Sequence, residues 1–481
     1  MEGRIREDVH ASRRESTRRL YDRLAPSRAR WISRNRYYYR ELAGLLEFLI
    51  EPGRDLLQIG CGNGFLLSRL DFASALGIDF SPGMIEEARR NVPEAEFMVA
   101  DVEFLPPLKR AFDYILMVNV IGDIVDVQKA FENLLPLCRP STRLVVVYYN
   151  HLWEPLVKLA ERLGMKIRQP NQNWLSPADI SNLLYLAGFE LVRKDTALLL
   201  PFGVPGLSFF LNRFLARLPL FNHLCFVNAF IARPLPAGLA RTARCSVVVP
   251  CKDEVGNVGN VLERIPEMGA GTEVVFVDDR SSDGTAAEVE RLRAAHPDRR
   301  IVLVSGPGRG KFEAVKAGFA AAGGDVLMIL DADATVMPEE LPLFFNALVT
   351  GKGEFVNGCR LVYEMEKGAM RLLNIVGNKL FGLAFSYLLS QRIKDTLCGT
   401  KVFFREDYLR MKRYFGFFGY DSWGDFNLLF SACKLGMKIV DLPIHYVERV
   451  SGETKMKRRF SHGWTMLRMC LVALKRFKFR L

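Results

Sequence analysis

Short apolar runs, each closed by glycine or an acid and followed by a stretch of helical pattern, recur along both halves of this chain. An apolar run bounded by turn residues reads as a strand buried on both faces, as in a sheet carrying helices above and below. That alternation restricts the chain to an α/β class. The most informative run is Met328-Ile329-Leu330-Asp331-Ala332-Asp333-Ala334-Thr335, after Gly323-Gly324-Asp325. Side chains alternate along a strand, so Asp331 and Asp333 are expected on one side. Two close carboxylates repel unless a cation lies between them. Hard cations such as Mg²⁺ or Mn²⁺ take such oxygens and complete their shells with water and phosphate. A solvated strand end with two turn-forming acids fits the same residues.

With 481 residues the chain exceeds one ordinary domain, so two or three are expected. Hydrophobic residues make up 49% and charged residues 25%, which is globular and excludes a disordered or fibrous class. The net charge of +12 favours anionic partners: nucleic acid, anionic lipid or a phosphorylated substrate. Nine scattered cysteines without a C-x-x-C pair argue against a zinc ribbon or disulfide framework and fit a reducing compartment. The start, Met1 to Asp8, lacks an apolar core, so no signal peptide is expected. No uncharged apolar run is long enough to predict a membrane-spanning helix.

In the first half, residues 1 to about 50 are Arg-rich and helical in pattern, with Leu42, Leu45, Leu46, Phe48 and Leu49 forming a stripe that covers a sheet. Asp55 to Ile59 reads as a strand, followed by the turn Gly60-Cys61-Gly62-Asn63-Gly64 and a helix from Phe65 to Leu70. Glycine there lets a ligand approach the backbone. Ala75 to Asp79 and Phe97 to Asp101 are strands ending in acids, Asp79 placed as a ribose-binding acid would be. Phe112 to Asn119 is a fourth strand.

This order resembles class I S-adenosylmethionine-dependent methyltransferases over residues 20 to 235. The resemblance implies that Gly60, Gly62 and Gly64 line the methionine part of the cofactor, that Asp79 holds the ribose, that Asp101 and the Val102 backbone hold the adenine, and that Asn119 lies beneath the methionine end. Gln58 departs from it, standing where many members carry an acid. Tyr148, Tyr149, Asn150 and His151, after the next strand, are candidates for an acceptor pocket. Residues 201 to 236 place Leu207, Phe209, Phe210, Phe214 and Leu215 on one apolar face with Arg213 and Arg217 against it. They fit a helix packed on the domain, the favoured reading, or one lying in a membrane interface. Pro234-Leu235-Pro236-Ala237-Gly238 is the expected linker, giving domains 1–236 and 237–481.

The second half repeats the alternation: strands Cys245 to Pro250, Glu273 to Asp279 and Ile301 to Val304, then the loop Gly306-Pro307-Gly308-Arg309-Gly310-Lys311. Backbone N–H groups and two cations in such a loop suit a phosphate. With the acid pair, the order resembles family 2 glycosyltransferases of the GT-A fold over residues 243 to 460. That implies Pro250, Lys252 and Glu254 flanking the nucleotide, Asp278 or Asp279 at the base, Arg309 and Lys311 facing the diphosphate or sugar, and Asp331 and Asp333 on Mg²⁺ or Mn²⁺. Lys394 to Phe403 and Ile444 to Lys455 look like polyprenyl-phosphate (dolichyl-phosphate type) members. They imply Arg360 and Arg371 on the acceptor phosphate and Lys455 on the donor diphosphate. Thr335 stands where a Gln ligand is often found.

Asp425 falls at the family's catalytic acid, with Asp421 a weaker candidate. A hydroxyl acceptor needs a base, whereas a lipid phosphate is already anionic. Residues 367 to 391 are apolar at helical spacing, and the tail from Lys455 to Leu481 is basic, amphipathic and carries Trp464. Such a helix suits an anionic membrane surface, or packs on the domain. The expectation is two doubly wound domains, a Rossmann-like methyltransferase fold and a GT-A fold, with a basic amphipathic C-terminal helix. The partners expected are a nucleotide-sugar donor, a polyprenyl phosphate or glycolipid acceptor and the cytoplasmic membrane face, not nucleic acid. The alternatives are transfer to a glycan or glycolipid hydroxyl with Asp425 as base, and a first domain that methylates the product or serves only as scaffold.

Overall fold

The computed structural model describes residues 2–166, 168–169, 172–235, 242–363, 372–419, 421–447 and 459–479. Two compact units emerge, Met1–Leu235 and Pro236–Phe479. The expected linker residues Pro236, Ala237 and Gly238 lie outside the described residues.

In the first unit, the strands are β1 (Arg54–Ile59), β2 (Phe72–Asp79), β3 (Glu96–Val99), β4 (Phe112–Val118), β5 (Cys138–Tyr149), β6 (Phe189–Ala197) and β7 (Val227–Pro234). They form one sheet in the order β3-β2-β1-β4-β5-β7-β6. β1 to β5 are mutually parallel, and β7 runs antiparallel between β5 and β6. Both faces are covered. Leu57, Ile59, Ile115 and Met117 point into one core. Leu56, Leu116, Val145 and Val147 point into the other, together with Leu42, Leu45 and Leu46 from the helix Arg36–Leu49. The order reverses between β1 and β4, which opens a crevice at the C-terminal strand ends.

Two local expectations fail here. No helix follows the glycine turn; Leu67–Arg69 is a single 3₁₀ turn. β2 begins again at Phe72, which leaves too little chain for a helix and a return. Tyr148 and Tyr149 do not follow the strand but end it, because β5 runs through Tyr149.

The second unit holds β8 (Cys245–Cys251), β9 (Thr272–Asp278), β10 (Arg300–Ser305), β11 (Val326–Ile329), β12 (Phe355–Cys359), β13 (Lys401–Phe404) and β14 (Ile439–Pro443). Their order is β10-β9-β8-β11-β13-β12-β14. β13 runs antiparallel to both its neighbours. The order reverses between β8 and β11, so the loops after β8, β9, β10 and β11 share one edge of the sheet. The two 7-stranded mixed sheets with flanking helices are the two α/β domains read from the sequence.

Candidate active sites

In the first unit, β1 ends in Gly60, Gly62 and Gly64, whose φ values of +67°, +54° and +77° favour glycine. A Cβ on Gly60 would sit 2.6 Å from Val120 Cγ2, so the turn is closed on its far side by the loop after β4. Asp79 ends β2 and is buried. Its carboxylate accepts the Gly62 N–H at 2.8 Å and the Ser81 N–H at 3.0 Å, which binds turn and strand end into one piece. Burial pushes its carboxyl up to about 6, against those two bonds. Asp101 accepts the Glu103 N–H at 2.9 Å and starts the turn that holds the Val102 backbone, whose carbonyl accepts Asn133 Nδ2 at 2.8 Å. Asn119, at φ +56°, donates Nδ2 to the Tyr38 hydroxyl at 2.8 Å. The chain thus brings Gly60, Gly62, Asp79 and Asn119 to one edge.

The N-terminal helix Glu2–Leu24 contributes what the sequence reading missed. Asp22 Oδ1 accepts from Ser81 Oγ at 2.6 Å and from the Gly83 N–H at 3.2 Å. Tyr21 donates its hydroxyl to Asp123 at 2.6 Å. Burial pushes the Asp123 carboxyl up to about 6. No spacing in residues 1–50 marks Tyr21 or Asp22, since their partners lie far along the chain. Of the acceptor-pocket candidates, Asn150 is structural: its Nδ2 donates to the carbonyls of His223 (2.7 Å) and Cys225 (2.9 Å).

In the second unit, Asp331 and Asp333 lie beyond the end of β11, in a turn where Ala334 takes φ +52°. Strand alternation therefore does not place them; the turn does. Asp333 Oδ1 accepts the Thr335 hydroxyl at 2.8 Å and its N–H at 3.2 Å, so Thr335 fixes Asp333. Lys311 Nζ lies 2.5 Å from Asp331 Oδ1. Burial pushes Asp331 up, but Lys311, then Lys401 and Arg360, outweigh it and hold the carboxyl below its ordinary range. Burial works against the Lys311 charge, yet Asp331, Asp425 and Asp333 together raise it. Gly399 supplies the room: a Cβ there would fall on Asp331 and within 2.7 Å of Lys311 Nζ.

Asp425 opens the helix Asp425–Lys434 and is buried, its Oδ1 2.6 Å from Nζ of the fully buried Lys401. Lys401, the first residue of β13, is the main residue missed; only its place in an otherwise apolar strand hinted at it. Asp421 caps the same helix through the N–H groups of Gly424 and Asn427, which accounts for it structurally. Arg360, just past β12, grips Asp395 by a fork of 2.8 and 2.9 Å. Arg360 overcomes burial and holds the Asp395 carboxyl at about 2. Arg371 and Lys455 lie outside the described residues.

The glycine-rich loop is organised differently from expectation. The N–H groups of Gly308 (2.6 Å) and Gly310 (3.1 Å) donate to buried Asp279, an anion of the chain itself. Those two donors are not turned to a ligand phosphate; Arg309 is exposed beside them. Asp278 carries the neighbouring carboxylate, 3.3 Å from the Ser281 N–H. Lys252 Nζ donates to the Asp279 carbonyl at 3.0 Å, and Glu254 accepts Asn257 Nδ2 at 2.6 Å. Pro250 lies within β8. Among the described residues no cluster of three or more His, Cys, Asp or Glu is placed to hold a metal.

Comparison with known proteins decides the family. The family described as Glycosyl transferase family 2 matches residues 246–413. An undecaprenyl-phosphate mannosyltransferase of Micrococcus luteus is 30% identical over 44% of this chain and 87% of its own length. The second half of the chain belongs to glycosyl transferase family 2. A polyprenol monophosphomannose synthase of Mycolicibacterium smegmatis is 29% identical over 46% of this chain and 84% of its own length. The family described as Methyltransferase domain matches residues 32–194, so a methyltransferase domain precedes the glycosyltransferase. A solved SAM-dependent methyltransferase of Thermotoga maritima, 20% identical, covers 45% of this chain and 98% of its own, with a TM-score of 0.36.

Proposed function

We propose that the glycosyltransferase moves a sugar from a nucleotide-sugar donor to a polyprenyl phosphate at a membrane surface, inverting the anomeric centre. The methyltransferase domain transfers a methyl group from S-adenosylmethionine. The domains are taken as 1–236 and 237–481. The observation that carries the reading is the charge cluster at the reversal of the second sheet, where Lys311 reaches Asp331 beside the Lys401–Asp425 pair.

Asp331 and Asp333 are hard oxygen donors that fit Mg²⁺ or Mn²⁺, with diphosphate and water completing the shell. When bound, that ion supplies Lewis-acid neutralisation of the leaving diphosphate. Lys311, with Arg309 at the rim, meets the same phosphates. Pro250, Lys252, Glu254 and Asp278 border the nucleotide, while Asp279 acts one step back by shaping the loop. The acceptor phosphate oxygen attacks the anomeric carbon as the bond to the diphosphate breaks. No base is required, because that oxygen is already ionised. Asp425 suits this: one of its oxygens is committed to Lys401. Arg360 contributes fixed positive charge, shared with Asp395, and Arg371 and Lys455 are kept as acceptor and donor contacts. The printed activities of both relatives support a lipid phosphate acceptor.

The membrane side is supported by the helix Arg459–Ala473, which packs Met466, Met469 and Cys470 inward and leaves Trp464, Leu467 and Leu471 exposed. Leu380 and Leu383 of the helix Leu372–Leu389 are exposed likewise. No helix among the described residues is long and apolar enough to cross a membrane. Docking on the cytoplasmic face is the corresponding placement. In the first domain, Gly60, Gly62, Gly64, Asp79, Asp101, Val102 and Asn119 hold the methyl donor.

The deciding experiment incubates the full chain with a panel of nucleotide sugars and short-chain polyprenyl phosphate, with Mn²⁺ or with chelator. A lipid-extractable glycosyl phosphate formed only with metal is expected. Product from the matching polyprenol or glycan alcohol, and none from the phosphate, would overturn the acceptor assignment.

A further inference from the structure

The methyltransferase unit carries a helix folded inside out. Along Leu207–Arg213 the polar side chains face inward: Ser208 and Asn212 are buried. Asn212 accepts the Leu200 N–H at 2.7 Å and donates Nδ2 to the Leu200 carbonyl at 2.7 Å and the Tyr37 hydroxyl at 2.9 Å. Ser208 Oγ accepts the Val204 N–H at 2.7 Å and donates to the Phe202 carbonyl at 2.5 Å. These bonds fix the rotation of the helix and turn its apolar residues outward. Phe209 is 56% exposed, Phe210 57% and Leu220, just beyond, 78%. The expectation that this apolar face packs on the domain is therefore reversed.

A second helix does the same. Glu154–Arg162 buries Val157 and leaves Leu156 and Leu159 exposed, with Leu163 after its last turn. Trp153, at its start, donates Nε1 to the Leu224 carbonyl at 2.8 Å, which joins the two apolar ridges. Leaving so much apolar surface in water is unfavourable for an isolated protein and marks a docking face.

The charge says what docks there. From Asp195 to Asp253 the sequence holds no other acidic residue; Arg213 lies within the ridge, while Arg217 beyond it donates Nη1 to the Thr196 carbonyl. The Arg213 guanidinium stands over the Phe209 ring, 5.9 Å from its centroid. Glu154 and Glu161 on the second helix are each paired with a lysine, Lys158 and Lys166. Outward aromatics with Arg213 among them, and acids that are each paired with a lysine, match the boundary between acyl chains and anionic headgroups.

We infer that residues 202–224 and the helix Glu154–Arg162 form a lipid-docking surface of the methyltransferase unit, selective for anionic membranes. The inference goes beyond the lipid acceptor of the second unit and gives the first its own anchorage. It takes its functional reason, but not its evidence, from the polyprenyl phosphate reading.

The test is flotation of the full chain with vesicles of phosphatidylcholine alone or mixed with phosphatidylglycerol. Phe209→Ser/Phe210→Ser is expected to weaken binding to the mixed vesicles roughly tenfold, and Arg213→Glu to weaken it several-fold. Backbone amides of 202–224 exchange more slowly once the mixed vesicles are added. Wild-type vesicle affinity in the double variant, with unchanged exchange, overturns the inference. So does a wild-type dimer in sedimentation that the double variant dissolves, since the face then belongs to a second copy. Transfer to a short, dispersed polyprenyl phosphate is unaffected by the double variant. Absence of that transfer in the wild type overturns the acceptor reading and leaves the vesicle result standing.

Discussion

Lys401 and Asp425 make a buried pair at the proposed glycosyltransferase site, at 2.6 Å with the lysine wholly enclosed. Removing one partner strands the other charge in a dry setting. Lys401→Met is expected to cost about 3–5 kcal/mol by denaturant unfolding, whereas Lys401→Met/Asp425→Leu recovers much of it without recovering transfer. At the other site, Asp79 titrates near 6 because burial disfavours its charge. The fold raises this carboxyl, so the folded state holds a proton that the unfolded chain has already released. Stability contributed at Asp79 is thus lost as pH rises from about 4 to 6. On the proposed reading, the ribose hydroxyls prefer the ionised form of Asp79, so S-adenosylmethionine affinity moves oppositely. It should rise about tenfold between pH 5 and 7 in calorimetry, and Asp79→Asn should flatten the profile. Both residues differ in how far the sequence exposed them. Asp79 was legible because a strand, a glycine turn and an acid lie close together in the chain. Lys401 was not, because its partner is brought to it by tertiary folding.

Among the elements, the loop from Gly306 to Lys311 shows why composition alone misled. Glycines and cations predicted a phosphate cradle, yet two of its amides are satisfied by Asp279. A carboxylate from the neighbouring strand end competes for the same donors, and only the β9–β10 pairing reveals it. Asp279→Ala leaves those amides without their acceptor and loosens the loop carrying Arg309 and Lys311. The expected result is a KM for the nucleotide sugar raised about tenfold or more, at a cost of about 1–3 kcal/mol in stability. The helix Leu207–Arg213 failed for a related reason. Its apolar spacing does mark a face, but hydrogen bonds of Ser208 and Asn212, rather than hydrophobic burial, decide which way that face turns.

At the scale of the molecule, each unit has its own sheet and its own cores. Both sheets were legible at most of their parallel strands, whose cores are largely apolar. β6, β12, β13 and β14 were not, being short or mixed in polarity and defined by antiparallel or distant pairing. Two separately packed units predict two transitions in calorimetry of the full chain. S-adenosylmethionine at about 100 Kd should raise one by an equivalent of about 2.7 kcal/mol, and nucleoside diphosphate with Mn²⁺ should raise the other. A single transition shifted by both ligands would contradict this.

On the proposed metal reading, the contact between Lys311 and Asp331 would set an order of arrival. Lys311 holds one oxygen of Asp331, so on this reading an ion entering alone would compete with the ammonium for that carboxylate. An incoming diphosphate offers Lys311 another anion and frees Asp331 in the same event. Metal and nucleotide are therefore expected to enter as a pair. Mn²⁺ titrated alone should bind at least tenfold more weakly than in the presence of nucleoside diphosphate, and Lys311→Met should narrow that gap. On that reading the resting site would keep Lys311 as its own counter-ion and exchange it for a metal only when a donor diphosphate is present.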